Sequence, residues 1–328
     1  MDIIALTDMK EFFVTVNDSL KELFEEISSL DEEIRIILAD GLHRGVDGGR
    51  LFFNIPVPLV IESESGDASK CILESENCEA FHKDTENRAV LTFGERCTSV
   101  ILRNFTIENT HVKTCDDCAL GNQAEAICFN CPGGKLFCHG MTFISRQDTI
   151  HVKGRSYFKS CFVSGDVDFI WGYCDTSVFE NCHIHTRADN RGNDRPAYVL
   201  QSRALNSRPG FVFIGCDFTA EDRGQAASLY VARSQGSGRP DSPDRWDSVA
   251  LIDCRLSDRY NPSLWTDEGG SRLVYPEKGC ALFGWRQYGT KILHDDGSLS
   301  FYDDSAQDGH GYTMSEYEKN HLISLIKE

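Results

Sequence analysis

The chain has 328 residues, of which 41% are hydrophobic and 26% are charged, and its formal net charge is −18. This composition excludes a disordered protein, and the length is sufficient for a large buried core. The negative charge argues against nucleic acid as the main partner, because phosphate contacts need an excess of lysine and arginine. No apolar run approaches the roughly 18 residues of a membrane span, so no membrane partner is expected.

The first residues and the cysteines bear on the cellular location. The opening stretch, MDIIALTDMKEFF, lacks the basic start and the unbroken apolar run of a secretory signal. We therefore expect a cytoplasmic protein, or a secreted one if the sequence has been trimmed at its start. Fourteen cysteines fit a reducing compartment if most are buried thiols, because a chain with its own core does not need disulfide staples.

Two amphipathic helices are predicted, one near each end of the sequence. In NDSLKELFEEI, apolar residues recur at helical spacing behind polar capping candidates, which predicts a helix over 17–28. The segment TMSEYEKNHLISLIKE has the same pattern and predicts a helix over 314–327. Between about 34 and 257 the pattern is one of short strands separated by polar turns. We expect a single domain over 1–328.

Six of the predicted strands carry an apolar pair spaced by one residue and preceded by a polar residue or glycine. These pairs are Phe105/Ile107, Met141/Phe143, Cys161/Val163, Cys182/Ile184, Cys216/Phe218 and Cys254/Leu256. Their first positions are separated by 36, 20, 21, 34 and 38 residues, which indicates a repeat of about 20 with occasional excursions.

A repeat of this size predicts a solenoid. Residues spaced by two share one face of a strand, so each pair would point inward and stack on the next coil, with cysteine as a small buried hydrophobe. We expect an all-β fold, a single-stranded right-handed parallel β-helix. A two-sheet sandwich is the alternative, but it would favour Asn-Gly hairpins, and the sequence contains none.

Four cysteines have the spacing of a metal site. Cys115 and Cys118 form one CxxC pair, and Cys128 and Cys131 form a second, which on spacing alone suggests tetrathiolate zinc. However, the second pair follows what looks like a buried strand, where alternating faces would point Cys128 and Cys131 apart. We favour buried thiols, and zinc stays an alternative.

Two aspartates share the spacing of the repeat. Asp148 and Asp168 lie 20 residues apart, as do Met141 and Cys161, so they should occupy equivalent places on neighbouring coils, roughly 4.8 Å apart. Like charges that close raise one pKa, which suits a nucleophile and a general acid. Asp166 has no such partner, and we expect it to tune the local field or to face solvent.

Three polar residues support a chemical role for these aspartates over the ordinary one of turn capping. Gln147 directly precedes Asp148, and Gln123 lies in the preceding coil region. Amide donors beside a nucleophilic carboxylate are what an oxyanion hole requires. Arg233 lies in an apolar strand, LYVARSQG, where an arginine could hold a carboxylate ionised and oriented.

Taken together, these motifs resemble those of the pectin methylesterases, which remove methyl groups from esterified polygalacturonate. GNQAEAI resembles their Gln-Ala-x-Ala segment, RQDTI their Gln-Asp-Thr-Leu segment, GDVDFIWG their Val-Asp-Phe-Ile-Phe-Gly signature and VARSQ their Gly-Arg-Pro-Trp segment. The order is the same, over about residues 30 to 270. The resemblance implies Asp168 as nucleophile, Asp148 as general acid and then base, Gln123 and Gln147 as oxyanion donors, and Arg233 as the partner of Asp168. It implies no metal or cofactor.

The resemblance also implies a set of substrate-binding positions, some of which depart from the family pattern. Phe169 and Trp171 would line sugar subsites, and Trp265 stands where the family has a platform tryptophan. Gln235 replaces another stacking tryptophan, and His151 replaces a tyrosine. His151 could donate to a substrate carboxylate or simply lie on a coil face. These changes affect the expected substrate length more than the reaction.

The expected function is therefore hydrolysis of the C6 methyl ester of methylated galacturonate, with pectin or oligogalacturonides as partner and a monomeric enzyme. A glycosidase or lyase on a β-helix is one alternative, since carboxylates about 5 Å apart also suit a retaining glycosidase. A relative that binds carbohydrate without catalysis, or that acts on other esters or thioesters, is another.

Overall fold

The structure is a computed structural model of the chain. It describes residues 9–114, 121–192, 195–205, 208–222, 228–234, 245–266, 284–307 and 311–327. The described residues form two compact units, divided between Val163 and Ser164. Within these ranges no helix has both the length and the apolar character needed to cross a membrane.

The first unit consists of strands and one helix. Its elements are β1 (Lys10–Val14), α1 (Leu20–Ile27), β2 (Ile34–Leu38), β3 (Gly41–Arg44), β4 (Leu51–Phe53), β5 (Leu59–Ser63), β6 (Cys71–Ser75), a 3-10 turn (Thr85–Asn87), β7 (Leu91–Phe93), β8 (Ser99–Arg103), β9 (Thr106–Asn109), β10 (Ile127–Phe129), β11 (Lys135–His139), β12 (Thr142–Ile144) and β13 (Ile150–Lys159).

These strands pair in three parallel ladders. The first ladder runs β1, β2, β5, β8, β11 and the second half of β13. The second runs β4, β7, β10 and the first half of β13, and the third runs β3, β6, β9 and β12. Because strands of consecutive coils pair in register, like side chains stack: Phe53, Phe93 and Phe129 are opposite one another in the second ladder, fully buried, with ring centroids 6.4 and 6.2 Å apart.

Helix α1 covers one end of this stack. Ser19 caps it by accepting a hydrogen bond from the Glu22 backbone N–H at 3.2 Å. Leu20 and Phe24 are buried on its inner face and, with Leu38 of β2, border a small apolar void. The predicted helix is confirmed with shorter bounds, because the residues before Leu20 form a turn and its cap.

The second unit repeats the arrangement. Its elements are β14 (Phe162–Gly165), which begins before the division, β15 (Val167–Glu180), β16 (His183–Thr186), β17 (Ala197–Ser202), β18 (Ala204–Leu205), β19 (Gly210–Ile214), β20 (Asp217–Ala220), β21 (Leu229–Arg233), β22 (Arg245–Trp246), β23 (Ser248–Ile252), β24 (Arg255–Ser257), β25 (Trp265–Thr266), β26 (Gly284–Tyr288), β27 (Lys291–Leu293), β28 (Leu299–Phe301), a 3-10 turn (Asp304–Gln307), β29 (Tyr312–Thr313) and α2 (Glu316–Lys327).

Parallel ladders again dominate this unit. β15 pairs through its first half with β17 and through its second half with β19. These ladders continue through β21 and β25, and through β23, β26 and β29. A third ladder runs β16, β20, β24 and β27. The coils thus extend to β27, beyond the predicted limit near 257, and α2 packs Leu322 against Val212 and Ala250.

The stacked pairs predicted from the repeat are confirmed, since every one of the twelve side chains is at most 2% exposed. The residue before each pair adopts the left-handed backbone conformation, with φ between 51° and 61°. We call these corner residues: Asn104, Gly140, Ser160, Asn181, Gly215 and Asp253. Asparagine, aspartate and glycine tolerate this conformation best, which explains the polar residues and glycines seen before the pairs.

The parallel β-helix predicted from the sequence is confirmed, and the sandwich alternative is wrong. The buried cysteines are confirmed as thiols: all cysteines in the described ranges are buried and unbridged. Burial raises the pKa of Cys216, and the neighbouring thiols of Cys182 and Cys254 add to that rise. The prediction of a single domain stays a prediction.

The corner residues generate a stability prediction. A Cβ at Gly215, where φ is 61°, would lie 2.7 Å from Asn181 Oδ1 of the neighbouring coil. Gly215→Ala should therefore lower the free energy of unfolding by about 1–2 kcal/mol, as expected for an L-residue forced into this region, measured by urea or thermal unfolding. Gly133→Ala is the control, because a Cβ there meets nothing within 4 Å. Equal free energies of unfolding for the two variants would contradict a requirement for glycine at this corner.

Candidate active site

Two glutamines lie side by side in the first unit, just before β10 and β13. Gln123 and Gln147 form a parallel β-bridge, and the Ala124 backbone N–H donates to the Gln147 carbonyl at 3.0 Å. Both side chains are partly exposed. The in-register stacking of the coils therefore places the two glutamines directly opposite each other, and their role as oxyanion donors stays a prediction.

Asp148 follows Gln147 and precedes β13. Its φ of 66° places it in the left-handed region, which is unusual for a residue other than glycine and is found at strained functional positions. The carboxylate is buried, and its Oδ2 accepts a hydrogen bond from Arg88 Nη2 at 2.9 Å. Asp148 is therefore held by a cation that the sequence analysis did not identify.

Arg88 is shared between Asp148 and a second carboxylate, Glu125. Arg88 Nε donates to Glu125 Oε2 at 2.8 Å, and Nη2 donates to Oε1 at 2.8 Å. Glu125 is 0% exposed, and burial raises its pKa while Arg88 opposes that rise. Burial would lower the pKa of Arg88, but the neighbouring carboxylates, Glu125 first among them, raise it above its ordinary value. The guanidinium thus stays charged between two acids.

Asp168 occupies the start of β15 in the second unit, where the pairing with β17 shifts register between Val167 and Ile170. Such bulges occur next to active sites and redirect a side chain. The φ of Asp168 is 46°, and its carboxylate is buried. Arg233 Nε donates to Oδ1 at 2.8 Å and to Oδ2 at 3.1 Å, and Arg233 Nη2 donates to Oδ2 as well.

A second donor to Asp168 comes from Gln201 on β17. Gln201 Nε2 donates to Asp168 Oδ2 at 3.1 Å, while Gln201 Oε1 accepts from Arg203 Nε at 2.9 Å. Arginine has only donors, so Arg203 fixes which end of the Gln201 amide faces the carboxylate. Arg203 itself donates to the Tyr173 hydroxyl at 2.6 Å and packs over the Trp171 ring at 5.1 Å. The Arg233 guanidinium and the Gln201 side-chain amide therefore both donate hydrogen bonds to the Asp168 carboxylate.

Each aspartate has its own arginine: the Arg233 partner of Asp168 was expected from the sequence, whereas the Arg88 partner of Asp148 was not. Charge-assisted hydrogen bonds favour the ionised carboxylate, and Asp168 receives them from both Arg233 and Gln201. An oriented, ionised carboxylate of this kind can act as a nucleophile. Asp166 is fully buried, so the expectation that it might face solvent is wrong.

Several predicted substrate-binding residues are placed differently by the structure. Phe169 is 0% exposed and Trp265 is 1% exposed, with Trp265 stacked on Trp285 at 5.6 Å. Both rings pack in the core of this structure, and the expectation that they line sugar subsites stays a prediction. Trp171 is 6% exposed, and its role stays a prediction. Gln235 lies outside the described residues.

His151 is also buried, at 2% exposure, and its Nδ1 lies 3.2 Å from Cys128 Sγ on the neighbouring strand. Of the two roles considered for His151, the contact with Cys128 favours a place within the coil stack, and binding of a substrate carboxylate stays a prediction. Burial raises the pKa of Cys128 well above its ordinary value, and nearby Glu125 and Glu86 contribute. The ring and the thiol pack together because β10 and β13 place them directly opposite each other.

The CxxC hypothesis is tested only in part. Cys115 and Cys118 lie outside the described residues. Cys131 donates to the Cys97 carbonyl at 2.5 Å, whereas Cys128 contacts His151, so the two thiols meet different groups. In the described ranges no three His, Cys, Asp or Glu side chains form a metal-binding group.

Sequence reasoning missed four residues that hold the two aspartates: Arg88, Glu125, Gln201 and Arg203. A signal was present for two of them. Glu125 interrupts the apolar stretch AEAICF, and Arg88 directly precedes AVLTF, and charges in such positions are rarely buried unless paired. The same reasoning did single out Arg233.

The buried pair generates a second stability prediction. Arg88→Met leaves the buried Glu125 carboxylate without its cation and should destabilise the fold by about 3–5 kcal/mol near neutral pH. The double variant Arg88→Met/Glu125→Leu should recover most of this loss, because no buried charge remains. Burial already raises the folded-state pKa of Glu125, and without Arg88 it rises further above its unfolded value, so the single variant should lose more stability at about pH 8 than at about pH 5.

Urea unfolding of the parent and these variants at both pH values measures the effect. A loss that is equal at the two pH values, or that persists in the double variant, would contradict a buried ion pair.

Comparison with known proteins identifies relatives of this chain. It is 31% identical to Pectinesterase 31 of Arabidopsis thaliana over 149 residues, which is 44% of this chain and 43% of that protein. It is 28% identical to a pectinesterase of Ralstonia solanacearum over 188 residues, 51% of this chain and 46% of that protein. The matched region spans less than half the length of these curated relatives.

The fold is shared with solved structures as well. The pectin methylesterase from carrot superposes with a TM-score of 0.66 at 15% sequence identity, over 98% of this chain and 94% of that one. This likeness supports the parallel β-helix.

The expectation of a cytoplasmic location is wrong. The pectinesterases that this chain matches are secreted, cell-wall or extracellular enzymes. The expectation rested on the composition of the first residues of the sequence, and the relatives overturn it.

The family assignment rests on a longer match than those with single relatives. The family model described as Pectinesterase matches residues 60–275, well over half of the chain. This range includes both arginine-held aspartates and the paired glutamines. The chain therefore belongs to the pectinesterase family.

Proposed function

We propose that this chain hydrolyses the C6 methyl ester of methylated galacturonate in pectin or pectic oligosaccharides, releasing methanol and a free carboxylate. The observation that carries the proposal is the environment of Asp168. Its carboxylate is buried, placed at a bulge in a left-handed conformation, and held by Arg233 and Gln201. These features fit an ionised carboxylate that is oriented for attack.

In the proposed mechanism, an Asp168 oxygen attacks the ester carbonyl carbon, and the carbonyl oxygen becomes an oxyanion. The side-chain amides of Gln123 and Gln147 donate hydrogen bonds to this oxyanion. Their side-by-side arrangement supports that role. As the tetrahedral intermediate collapses, the bond to the methoxy group breaks.

Asp148 gives its proton to the departing methoxy oxygen, and methanol leaves. The product is a mixed anhydride between Asp168 and the C6 carboxyl of the sugar. Asp148, now ionised, takes a proton from water, whose oxygen attacks the anhydride and regenerates the Asp168 carboxylate. This sequence returns both acids to their starting states.

A pectic substrate is supported by the family and by solved relatives. One of the matched structures is described as a pectin methylesterase in complex with a hexasaccharide. Galacturonate units are anionic, and the chain is acidic overall. Arginines near Asp168, such as Arg203, would offset this repulsion locally. We further propose that the enzyme acts as a monomer.

The nucleophile assignment leads to a direct test. Asp168→Asn should lower kcat for methanol release from methylated galacturonide by about 10³-fold or more, because an amide cannot form the anhydride. Asp217→Asn is the matched control, since Asp217 also pairs with an arginine, Arg255, but its side chain is 35% exposed. This variant should keep the parent rate. Equal activity of Asp168→Asn and the parent would refute the assignment.

The same assay separates the esterase from the glycosidase alternative. An esterase releases methanol without new reducing ends, whereas a glycosidase or lyase shortens the chain. Formation of reducing ends at the rate of methanol release would contradict the proposed reaction.

A further inference from the structure

We propose that Arg88 and Glu125 form a charge-neutral pair that positions Asp148 while leaving it able to gain and lose a proton. This inference rests on the proposed function, in which Asp148 acts first as an acid and then as a base. Arg88 and Glu125 are positioning residues, because they act on the reaction through Asp148.

The geometry places one guanidinium between two carboxylates. Arg88 Nη2 donates both to Glu125 Oε1 at 2.8 Å and to Asp148 Oδ2 at 2.9 Å. Arg88 Nε donates to the other carboxylate oxygen of Glu125, Oε2, at 2.8 Å. All three side chains are buried. The planar guanidinium has fixed donor directions, so its forked contact with Glu125 determines where the remaining donor meets Asp148.

Charge balance explains why Glu125 is needed. An uncompensated arginine in contact with a carboxylate lowers the pKa of that carboxylate by about 1–3 units. Asp148 would then be ionised when the reaction needs its proton for methanol. Glu125 is close to Arg88, and its negative charge largely cancels the positive charge of Arg88 at Asp148. Arg88 can therefore still orient Asp148 through a hydrogen bond without strongly lowering its pKa.

The other charged group at this cluster is Glu79. Its Oε1 lies 3.7 Å from Arg88 Nη1, and its Oε2 accepts from the Gly121 backbone N–H at 2.7 Å. Arg88 therefore contacts three carboxylates in the first unit: Asp148, Glu125 and Glu79. Glu79 adds negative charge to Arg88, so it acts in the same direction as Glu125.

The pair is built on a rigid frame. Asn77 Nδ2 donates to the Asn87 and Ala89 carbonyls at 2.9 and 3.0 Å and so fixes the backbone on both sides of Arg88. The Glu125 carbonyl accepts from Asn109 Nδ2 at 3.0 Å. Because both backbones are fixed, the pair can hold Asp148 in one orientation, unlike a surface ion pair.

The decisive experiment is the pH dependence of kcat/KM for methanol release by Glu125→Gln. This variant keeps the size of the side chain but removes its charge. The basic limb, which reports loss of the Asp148 proton, should move to lower pH by about one unit or more. Glu74→Gln is the matched control, because Glu74 pairs with Arg44 on another ladder; its limb should coincide with that of the parent.

A second variant covers the case in which Glu125→Gln folds poorly. Arg88→Met/Glu125→Leu removes both charges, so its basic limb should lie at the same pH as that of the parent or at a higher pH. Its kcat should fall, because Asp148 has lost its positioning contact. Asp148→Asn should abolish the basic limb in the same assay. Thermal unfolding of each variant is measured alongside.

The outcomes are distinct. A purely structural pair would lower the unfolding temperature of Glu125→Gln and leave its basic limb unchanged, and this result would overturn the inference while the proposed function stands. A basic limb that moves downward in the double variant would overturn it as well. If the parent releases no methanol at any pH, the proposed function fails and the inference fails with it.

Discussion

The in-register stacking of parallel coils is the constraint on which the rest of the molecule depends. Each coil must present the same kind of side chain at the same place as its neighbours, because strands of consecutive coils pair residue against residue. The result in the core is a set of ladders, such as Phe53, Phe93 and Phe129. The result outside the core is the pairing of Gln123 with Gln147. One geometric rule therefore produces both stability and a cluster of functional groups.

Burial of charge is the second constraint, and it is met by pairing. A buried carboxylate without a partner is costly, and Glu125, Asp148 and Asp168 each contact an arginine. Glu125 and Asp148 share Arg88, and Asp168 has Arg233. Breaking such a pair is costly because a charge is left behind, whereas removing both charges is often tolerated. The arginines therefore fix the conformations of the acids more than they add to net stability.

The repeat could be predicted from the sequence because each inward-pointing pair has a local signal. Two apolar residues flank a single position, and the residue before them is one that tolerates the left-handed backbone conformation. Asn181 before Cys182 and Gly215 before Cys216 show this signal clearly. Asp148 and Asp168 were found through the same period. Their partners were harder to find, since Arg88 lies 60 residues from Asp148 and Arg233 lies 65 residues from Asp168. Such contacts follow from how the coils stack, which local patterns do not contain. The burial of Phe169 could not be predicted either, because this residue lies within the register shift between Val167 and Ile170, which local patterns do not contain.

The left-handed backbone connects the fold to the chemistry. At the corners, Asn104, Ser160, Asn181 and Asp253 adopt it directly before the inward-pointing pairs. Asp148 and Asp168 adopt the same conformation away from the corners, at the starts of β13 and β15, the two longest strands among the described residues. A regular strand would alternate its side chains between core and solvent, and a carboxylate in either place would be buried without a partner or fully hydrated. One left-handed residue breaks the alternation and directs each carboxylate toward an arginine, Arg88 for Asp148 and Arg233 for Asp168. The conformational cost, about 1–2 kcal/mol for each residue, is small beside the stability of a stack of paired coils, so the solenoid can hold both acids in positions that a shorter, isolated strand could not maintain.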